Sequence, residues 1–295
     1  MAKVSILMNG YNAQKYLREA IESVYAQTFD DWEIIFIDNC STDDTKKIVK
    51  SYDDKIKYYK TEKNIPLGAA RNFGLQYCKG EYLAFLDTDD VWLKDKLSLQ
   101  VKLMDTDDKC QLCYGGVIYI DEDSKEIGEM IPQTDEDVFL QQLKRYEINM
   151  QSVMLRNSSD IRFNEKLRHS PDFDLFMDIV SRSKTCIIRK HIVKYRKLQD
   201  SLTSKNIDIW WSELKYTLDR IFSKDTELKN RYIKGYNFAY AKVAYNKAQY
   251  LISVGKRGEA IKELSKYRFL NFQYFILYLA SLFPAFVWHF IHRYK

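Results

Sequence analysis

Over the first hundred residues, short runs rich in Val, Ile, Phe and Tyr alternate with segments of helical spacing. Residues 4–8, 33–37, 56–59 and 82–86 read as strands. Residues 14–27, 42–52 and 68–78 read as helices, with Leu17, Ala20, Ile21, Val24 and Tyr25 on one face of the first. Ser41, with Asp44 three residues on, has the form of a capping box opening the second. Strand–helix alternation at this spacing predicts βαβ units: an α/β fold with a mostly parallel central sheet flanked by helices. Ligands of such sheets sit outside the carboxyl ends of the strands. Those ends read Asn9-Gly10-Tyr11-Asn12, Asp38-Asn39-Cys40-Ser41 and Asp87-Thr88-Asp89-Asp90, so polar and acidic residues gather where a pocket is expected.

Further strands are predicted at 112–120 and 148–155, a helix at 172–181, and a strand-like run at 187–195. From about residue 206 the strand signals nearly vanish, which places a domain boundary between residues 1–204 and a helical region, 205–295. Residues 236–267 read as a helical hairpin, with Gly255 at the turn and Ala239, Ala241, Ala244 and Ala248 allowing close packing. The tail, 269–292, contains no Asp, Glu, Lys or Arg. It approaches the roughly 20 residues that span a bilayer. Yet Asn271, Tyr274, Tyr278 and Ser281 fall on one face and Phe272, Ile276, Leu279 and Phe283 on the other, as suits a helix lying in a membrane interface. Packing on the domain itself and spanning are the alternatives, and Pro284 would kink the helix.

Charge sharpens this division. The net charge is +5, but residues 1–181 carry 23 Lys/Arg against 33 Asp/Glu, whereas residues 182–295 carry 23 against 8. A basic, aromatic second part fits the anionic face of a membrane. It carries no recognised nucleic-acid module, so nucleic acid is not an expected partner. The N-terminus shows no apolar h-region with a cleavage site. Five scattered cysteines (Cys40, Cys78, Cys110, Cys113, Cys186) suit a reducing compartment. Cys110 and Cys113 lack the second pair a zinc site needs, and read as buried thiols.

Asp87, Asp89 and Asp90 follow the apolar run Tyr82-Leu-Ala-Phe-Leu86. Carboxylates crowded at a strand end repel one another, so burial there is costly without a cation. An Asp-x-Asp pair can share one Mn²⁺ or Mg²⁺ whose remaining positions take phosphate oxygens. On its own an acidic triplet is a weak signal, since solvated acidic turns are common.

Its surroundings are more specific. Val4-Ser-Ile-Leu-Met-Asn-Gly-Tyr-Asn12, Ile21-Glu-Ser-Val-Tyr-Ala-Gln-Thr-Phe29, Trp32-Glu-Ile-Ile-Phe-Ile-Asp38, Gly68-Ala-Ala-Arg-Asn72-Phe-Gly74 and Gly80-Glu-Tyr-Leu-Ala-Phe-Leu-Asp87-Thr-Asp-Asp90 resemble, in order and spacing, the family 2 glycosyltransferases of GT-A fold. The resemblance is close over residues 3–104 and fainter to Tyr195-Arg196 and the turn at 200–203. It implies that residues 1–204 form a nucleotide-sugar-binding catalytic domain. By the same resemblance Tyr11 and Asp38 line the nucleoside pocket, with Asn39 where many relatives carry a second acid; an Asn amide can pair with a uracil edge. Arg71 would lie beside the nucleotide, with a salt bridge to a nearby Asp as its plainer role. Asp87 would face ribose and metal, Asp89 would be the principal metal ligand, and Asp90 would support the loop, as a helix cap before Trp92.

Inverting members need a carboxylate to take the acceptor hydroxyl's proton. Asp172, in His169-Ser-Pro171-Asp172-Phe-Asp174, stands at the family's place for that base, with Pro171 where a companion Glu is usual. A helix N-cap is the plainer role of Asp172, and Asp174 is the fallback base. The processive Gln-x-x-Arg-Trp motif is missing, so one sugar is added per encounter. The resemblance thus implies a hexosyltransferase-type enzyme that is inverting and uses Mn²⁺ or Mg²⁺. It would move a sugar from a nucleotide-diphosphate donor, UDP favoured, to a glycan acceptor, lipid-linked at the inner face of the cell membrane, in surface polysaccharide synthesis. The alternative is a non-catalytic nucleotide-sugar or glycan-binding module. A nucleotidyltransferase is disfavoured, because no glycine-rich basic loop follows the first strand.

Overall fold

The computed structural model describes residues 1–133, 137–198, 207–283 and 288. They fall into two compact units: Met1–Val138 with Glu147–Gln199, and Phe139–Tyr146 with Asp200–Lys295. The turn expected at 200–203 lies outside the described residues.

The first unit begins with β1 (Val4–Gly10), α1 (Leu17–Tyr25), β2 (Trp32–Asp38), α2 (Thr45–Val49), β3 (Ile56–Lys60), α3 (Leu67–Leu75) and β4 (Tyr82–Phe85). These four strands stand in the order β3-β2-β1-β4, all parallel. Ile6, Met8, Ile34 and Phe36 join the core that buries Leu17, Ala20, Ile21 and Val24 of α1. Leu7 and Ile37 point to the opposite face, where α3 lies so close that a Cβ on Gly74 would come within 2.8 Å of Ile37 Cγ1. Covered on both faces, β1, β2 and β4 read as mostly apolar runs, interrupted before their polar ends by Ser5 and Glu33, whose side chains hydrogen-bond to each other at 2.9 Å.

Beyond β4 come β5 (Val91–Trp92), α4 (Lys96–Thr106), β6 (Cys110–Ile120) and β7 (Glu126–Met130). After α5 (Val138–Lys144) and a 3-10 turn (Met150–Ser152), the unit closes with β8 (Met154–Arg156), α6 (Pro171–Arg182) and β9 (Lys184–Arg196). The sheet continues from β4 as β8-β6-β9-β5, with β7 on β6. Here the expected parallel order gives way to a mixed one. β8 is antiparallel to β4 and β6, β7 to β6, and β5 to β9, while β6 and β9 are parallel. A tight turn makes the change at β6–β7: the Asp121 carboxylate accepts from the backbone N–H of Asp123 and Lys125, and a turn this short joins only antiparallel strands.

Local patterns misled at two places. Ser41 does not start a helix: its hydroxyl accepts from the Asn12 N–H, and α2 opens only at Thr45, whose N–H is held by Asp43. The strand expected at 148–155 is a 3-10 turn followed by three strand residues. Cys110 and Cys186, 76 positions apart in sequence, stand side by side on the neighbouring strands β6 and β9, with Cα atoms 6.0 Å apart.

The second unit holds α5 together with α7 (Ile207–Lys224), α8 (Thr226–Arg231), α9 (Ile233–Ser253), α10 (Arg257–Ser265) and α11 (Phe272–Leu282). Residues 139–146, which sequence order puts in the first domain, group with these helices. Phe139 meets the Tyr232 ring edge-on at 5.0 Å, and Leu140 and Leu143 lie against Gly235. α9 and α10 form the expected hairpin, with Gly255 at φ +78°. In α11, Leu277, Ala280 and Ser281 are buried and Tyr274 and Tyr278 pack beside them, whereas Phe272 is 78% exposed and Ile276 and Phe283 also face outward. The weakly polar stripe therefore turns inward and the aromatic face outward. No helix among the described residues is long and apolar enough to cross a membrane.

Candidate active site at the ends of β1, β2 and β4

In the order β2-β1-β4, the chain winds away from β1 on one side and returns on the other, and a ligand crevice opens at such a switch point. Gly10 ends β1 opposite Asp38. A Cβ there would sit 3.0 Å from Thr88 Cγ2 and 3.1 Å from Ala13 Cβ, so glycine lets the acidic loop close over the strand end. The next residues are held in left-handed backbone, Asn12 at φ 52° and Cys40 at φ 69°. Asn tolerates this through local hydrogen bonds; Cys does not, and such strain is commonly stored at functional sites. Asn12 Oδ1 accepts from the Thr42 N–H at 2.9 Å, tying the two loops together.

On the β2 side, Tyr11 is 52% exposed and Asp38 is buried. One Asp38 oxygen accepts from the Ser41 N–H at 2.7 Å and the other from the Tyr58 hydroxyl at 2.5 Å. Asn39, expected at a base edge, is engaged elsewhere. Its amide nitrogen donates to the Ile65 carbonyl at 2.8 Å, and its oxygen accepts from the Ile65 N–H and the Thr61 hydroxyl. Both ends of the amide are thus used to clamp residues 61–65 onto the end of β2.

On the β4 side, Arg71 is buried on α3 with its guanidinium over the Phe163 ring, 5.4 Å from its centre. Nη2 pairs with Asp87 Oδ1 at 3.3 Å and Nε donates to Asn9 Oδ1 at 3.4 Å. The expected salt bridge is present, and it lies within the crevice. The other Asp87 oxygen accepts from Gln151 Nε2 at 2.5 Å, while Gln151 Oε1 accepts from the Asp87 N–H at 2.7 Å. No motif points to Gln151. The signal that finds it is the pairing of β4 with β8, which local patterns do not disclose.

Asp89 has no ion-pair partner among the described residues. Its carboxyl is pushed up to about 6, first by burial and then by the Asp87 charge, with Arg196 pulling the other way. Asp90 is not a helix cap: Val91–Trp92 is a strand and α4 begins at Lys96 after Asp95. One Asp90 oxygen accepts from the Arg196 N–H at 2.7 Å; the other is buried without a hydrogen-bond partner among the described residues, and the pKa of the carboxyl is driven well up by burial and the neighbouring acids. Arg196, also buried, donates from Nε to the Asp89 carbonyl at 2.9 Å. It donates further to the Asp121 carbonyl and the Ser124 hydroxyl, and pairs with Glu19 at 2.6 Å. It fastens the acidic loop to the β6–β7 turn and to α1.

Asp172 stands at the second position of α6, after Pro171; the N-cap is Ser170. Its pKa is raised by burial, against the pull of Arg71 and of the backbone N–H groups of residues 172 and 173, with Asp87 adding to the rise. These mutual effects bring Asp172, Arg71 and Asp87 into one electrostatic neighbourhood. Tyr195, at the end of β9, shares it: burial raises its phenol, and Asp90, Asp87, Asp89 and Asp172 raise it further.

No group of three or more His, Cys, Asp or Glu side chains among the described residues converges on a metal position. The donor set nonetheless fits a divalent cation completed by ligand oxygens. Asp89 and Asp87 supply hard oxygens, and among the described residues Arg71 is the one cation that pairs with either of them.

Residues 5–163 match the family model described as glycosyl transferase family 2. The UDP-Glc:α-D-GlcNAc-diphosphoundecaprenol β-1,3-glucosyltransferase WfgD of Escherichia coli is 31% identical over 205 residues, covering 68% of this chain and 79% of that protein. An uncharacterized glycosyltransferase of Methanocaldococcus jannaschii is 32% identical over 206 residues, 65% of this chain and 70% of its own. Among solved structures, S. aureus TarS 1-349 in complex with UDP superposes with a TM-score of 0.69 at 20% identity, covering 90% of this chain and 80% of that one. The mannosyltransferase PcManGT of Pyrobaculum calidifontis, in complex with GDP-Man and Mn²⁺, gives 0.58 at 13% identity over 99% of this chain and 84% of its own. The fold is that of the GT-A glycosyltransferases.

Proposed function

The chain belongs to glycosyl transferase family 2, and on that premise we propose that it is an inverting, metal-dependent enzyme that moves one sugar per encounter from a nucleoside-diphosphate donor, UDP favoured, to a lipid-linked glycan acceptor. The observation that carries the reading is the acidic end of β4, with Arg71 beneath Asp87 and Asp89 without an ion-pair partner among the described residues, in the switch-point crevice. Tyr11 offers an exposed ring for the nucleoside, and Asp38 and Asn39 fix the walls behind it. Asp89 and Asp87 would hold a Mn²⁺ or Mg²⁺ ion. When bound, such an ion neutralises the diphosphate as it departs. Arg71, buried and always charged, adds a fixed positive charge at the same place.

Asp172 takes the acceptor hydroxyl's proton as that oxygen bonds to the anomeric carbon, and the bond from that carbon to the diphosphate oxygen breaks on the opposite face. Burial raises the Asp172 carboxyl, which makes it a stronger base than a solvated aspartate. UDP as donor nucleotide is in line with the names of the Escherichia coli and S. aureus relatives, and a diphosphoundecaprenol acceptor with the former. The enzyme would work on the cytoplasmic side, held at the anionic inner face of the membrane. The outward aromatic face of α11 and the excess of Lys and Arg after residue 181 support that location.

Incubation with a panel of nucleotide sugars and Mn²⁺ tests the chemistry through release of the nucleoside diphosphate. Asp89→Ala abolishes both turnover and metal dependence; near-wild-type turnover would overturn the site. Flotation with anionic liposomes tests the location. Binding that survives removal of residues 269–295 would rule out the tail as an anchor.

A further inference from the structure

We propose that Gln151 is a positioning residue that sets the Asp87 carboxylate for the donor; the inference rests on the reading of Asp87 as a donor-binding acid. The register of the sheet explains how a residue 64 positions away reaches it. β4 and β8 pair antiparallel with Ala84 opposite Met154. Extending that register three residues beyond the ladder brings position 87 opposite position 151. The Gln151 side chain then completes by itself what another rung would have done. Its oxygen accepts from the Asp87 N–H at 2.7 Å and its nitrogen donates to Asp87 Oδ2 at 2.5 Å. Main chain and carboxylate of one residue are gripped together, which fixes both the loop and the side-chain rotamer.

The grip is held from behind. Gln151 is 1% exposed, so its amide has no solvent to turn to if the clasp opens. Its N–H donates to Asn149 Oδ1 at 3.0 Å, and its carbonyl accepts from the Trp92 indole at 3.1 Å. The next carbonyl, of Ser152, accepts from Gln100 Nε2 at 2.8 Å. An amide also suits the electrostatics. Arg71 already places one positive charge on Asp87, at Oδ1. A second cation in place of Gln151 would neutralise the site further, whereas a neutral donor orients the carboxylate and leaves its charge for the ligand. Asp87 keeps 34% of its side chain exposed for that contact.

The test is a double-mutant cycle on the full chain, read by calorimetric titration with UDP and with GDP, each with Mn²⁺. Gln151→Met keeps the length and removes both hydrogen bonds, and should weaken nucleotide binding by about ten- to a hundredfold. Gln151→Glu, which guards against a failure of Gln151→Met to fold, places a like charge against Asp87 and should weaken it more. Asp87→Asn should also weaken binding, and in that background either change at 151 should cost much less than in wild type. A purely structural role would give the same loss in both backgrounds. Additive losses, or wild-type affinity in both position-151 variants while Asp87→Asn is weak, overturn the inference alone. Wild-type affinity in Asp87→Asn, or binding of neither nucleotide by the wild-type chain, overturns the donor-site reading and the inference with it.

Discussion

Lys96 opens α4 and is buried, yet no carboxylate pairs with it among the described residues. Its ammonium donates to Gln100 Oε1 at 2.6 Å and lies 3.9 Å from the centre of the Trp92 ring. Burial pushes its pKa down from 10.5 to about 7. A lysine depressed in this way binds fewer protons when folded than when unfolded between about pH 7 and 10.5, so stability rises with pH across that window. The limiting slope is about 1.4 kcal/mol per pH unit, and because the group is half-titrated at pH 7, the gain from pH 7 to 9 is about 2 kcal/mol. Lys96→Met keeps the volume and removes the titration. It leaves Gln100 Oε1 without its donor, at a cost of about 1–3 kcal/mol, but that cost is the same at both pH values and cancels in the comparison. Urea denaturation of both proteins at pH 7 and 9 should show wild type gaining about 2 kcal/mol relative to Lys96→Met. Parallel stability–pH profiles would refute the reasoning, because they would mean that Lys96 keeps an ordinary pKa in the fold.

With Asp89 raised to about 6, the ionised form that a cation requires is depleted below that pH. Mn²⁺-supported UDP binding should therefore weaken as the pH falls through 6, and binding at pH 6 should release a proton. Titration calorimetry in two buffers of different ionisation heat reads that proton, and equal apparent enthalpies would contradict it. Asp172→Asn should lower kcat by about a hundred- to ten-thousandfold while UDP affinity stays near wild type; unchanged turnover would exclude Asp172 as the base. Arg196→Ala strips partners from the Asp89 carbonyl, the β6–β7 turn and Glu19 together. It should cost about 3–5 kcal/mol in urea denaturation, and a loss below about 1 kcal/mol would show that the hub is dispensable.

Much of the nucleotide half was legible because its structure is local. Strands covered on both faces must be mostly apolar, helices between them must repeat every three to four residues, and most of the polar residues that interrupt the pattern fall at strand ends. That logic locates Asn9-Gly10, Asp38 and Asp87–Asp90 on one edge of the sheet. It also anticipates the Gly255 turn of the α9–α10 hairpin. It failed where partners are distant in sequence. Ser41 looks like a cap only until Asn12 claims its hydroxyl. Nothing near Asn39 in sequence discloses that the main chain of Ile65 takes both ends of its amide. Asp90 looks like a cap until Arg196, 106 positions away, supplies the N–H it accepts.

The α/β layering, the family and the acids at the end of β4 can be read from residue order alone, because each is written in spacing over a few turns of chain. How those acids are held depends on contacts between segments far apart in the chain. β8 crosses antiparallel beside β4, which sets Gln151 on Asp87, and the end of β9 brings Arg196 beneath Asp89 and Asp90. Gln151 has no local signature, and the resemblance that reaches Arg196 does not tell what it holds, since a hydrogen bond between residues so far apart depends on sheet register and not on the composition around either one.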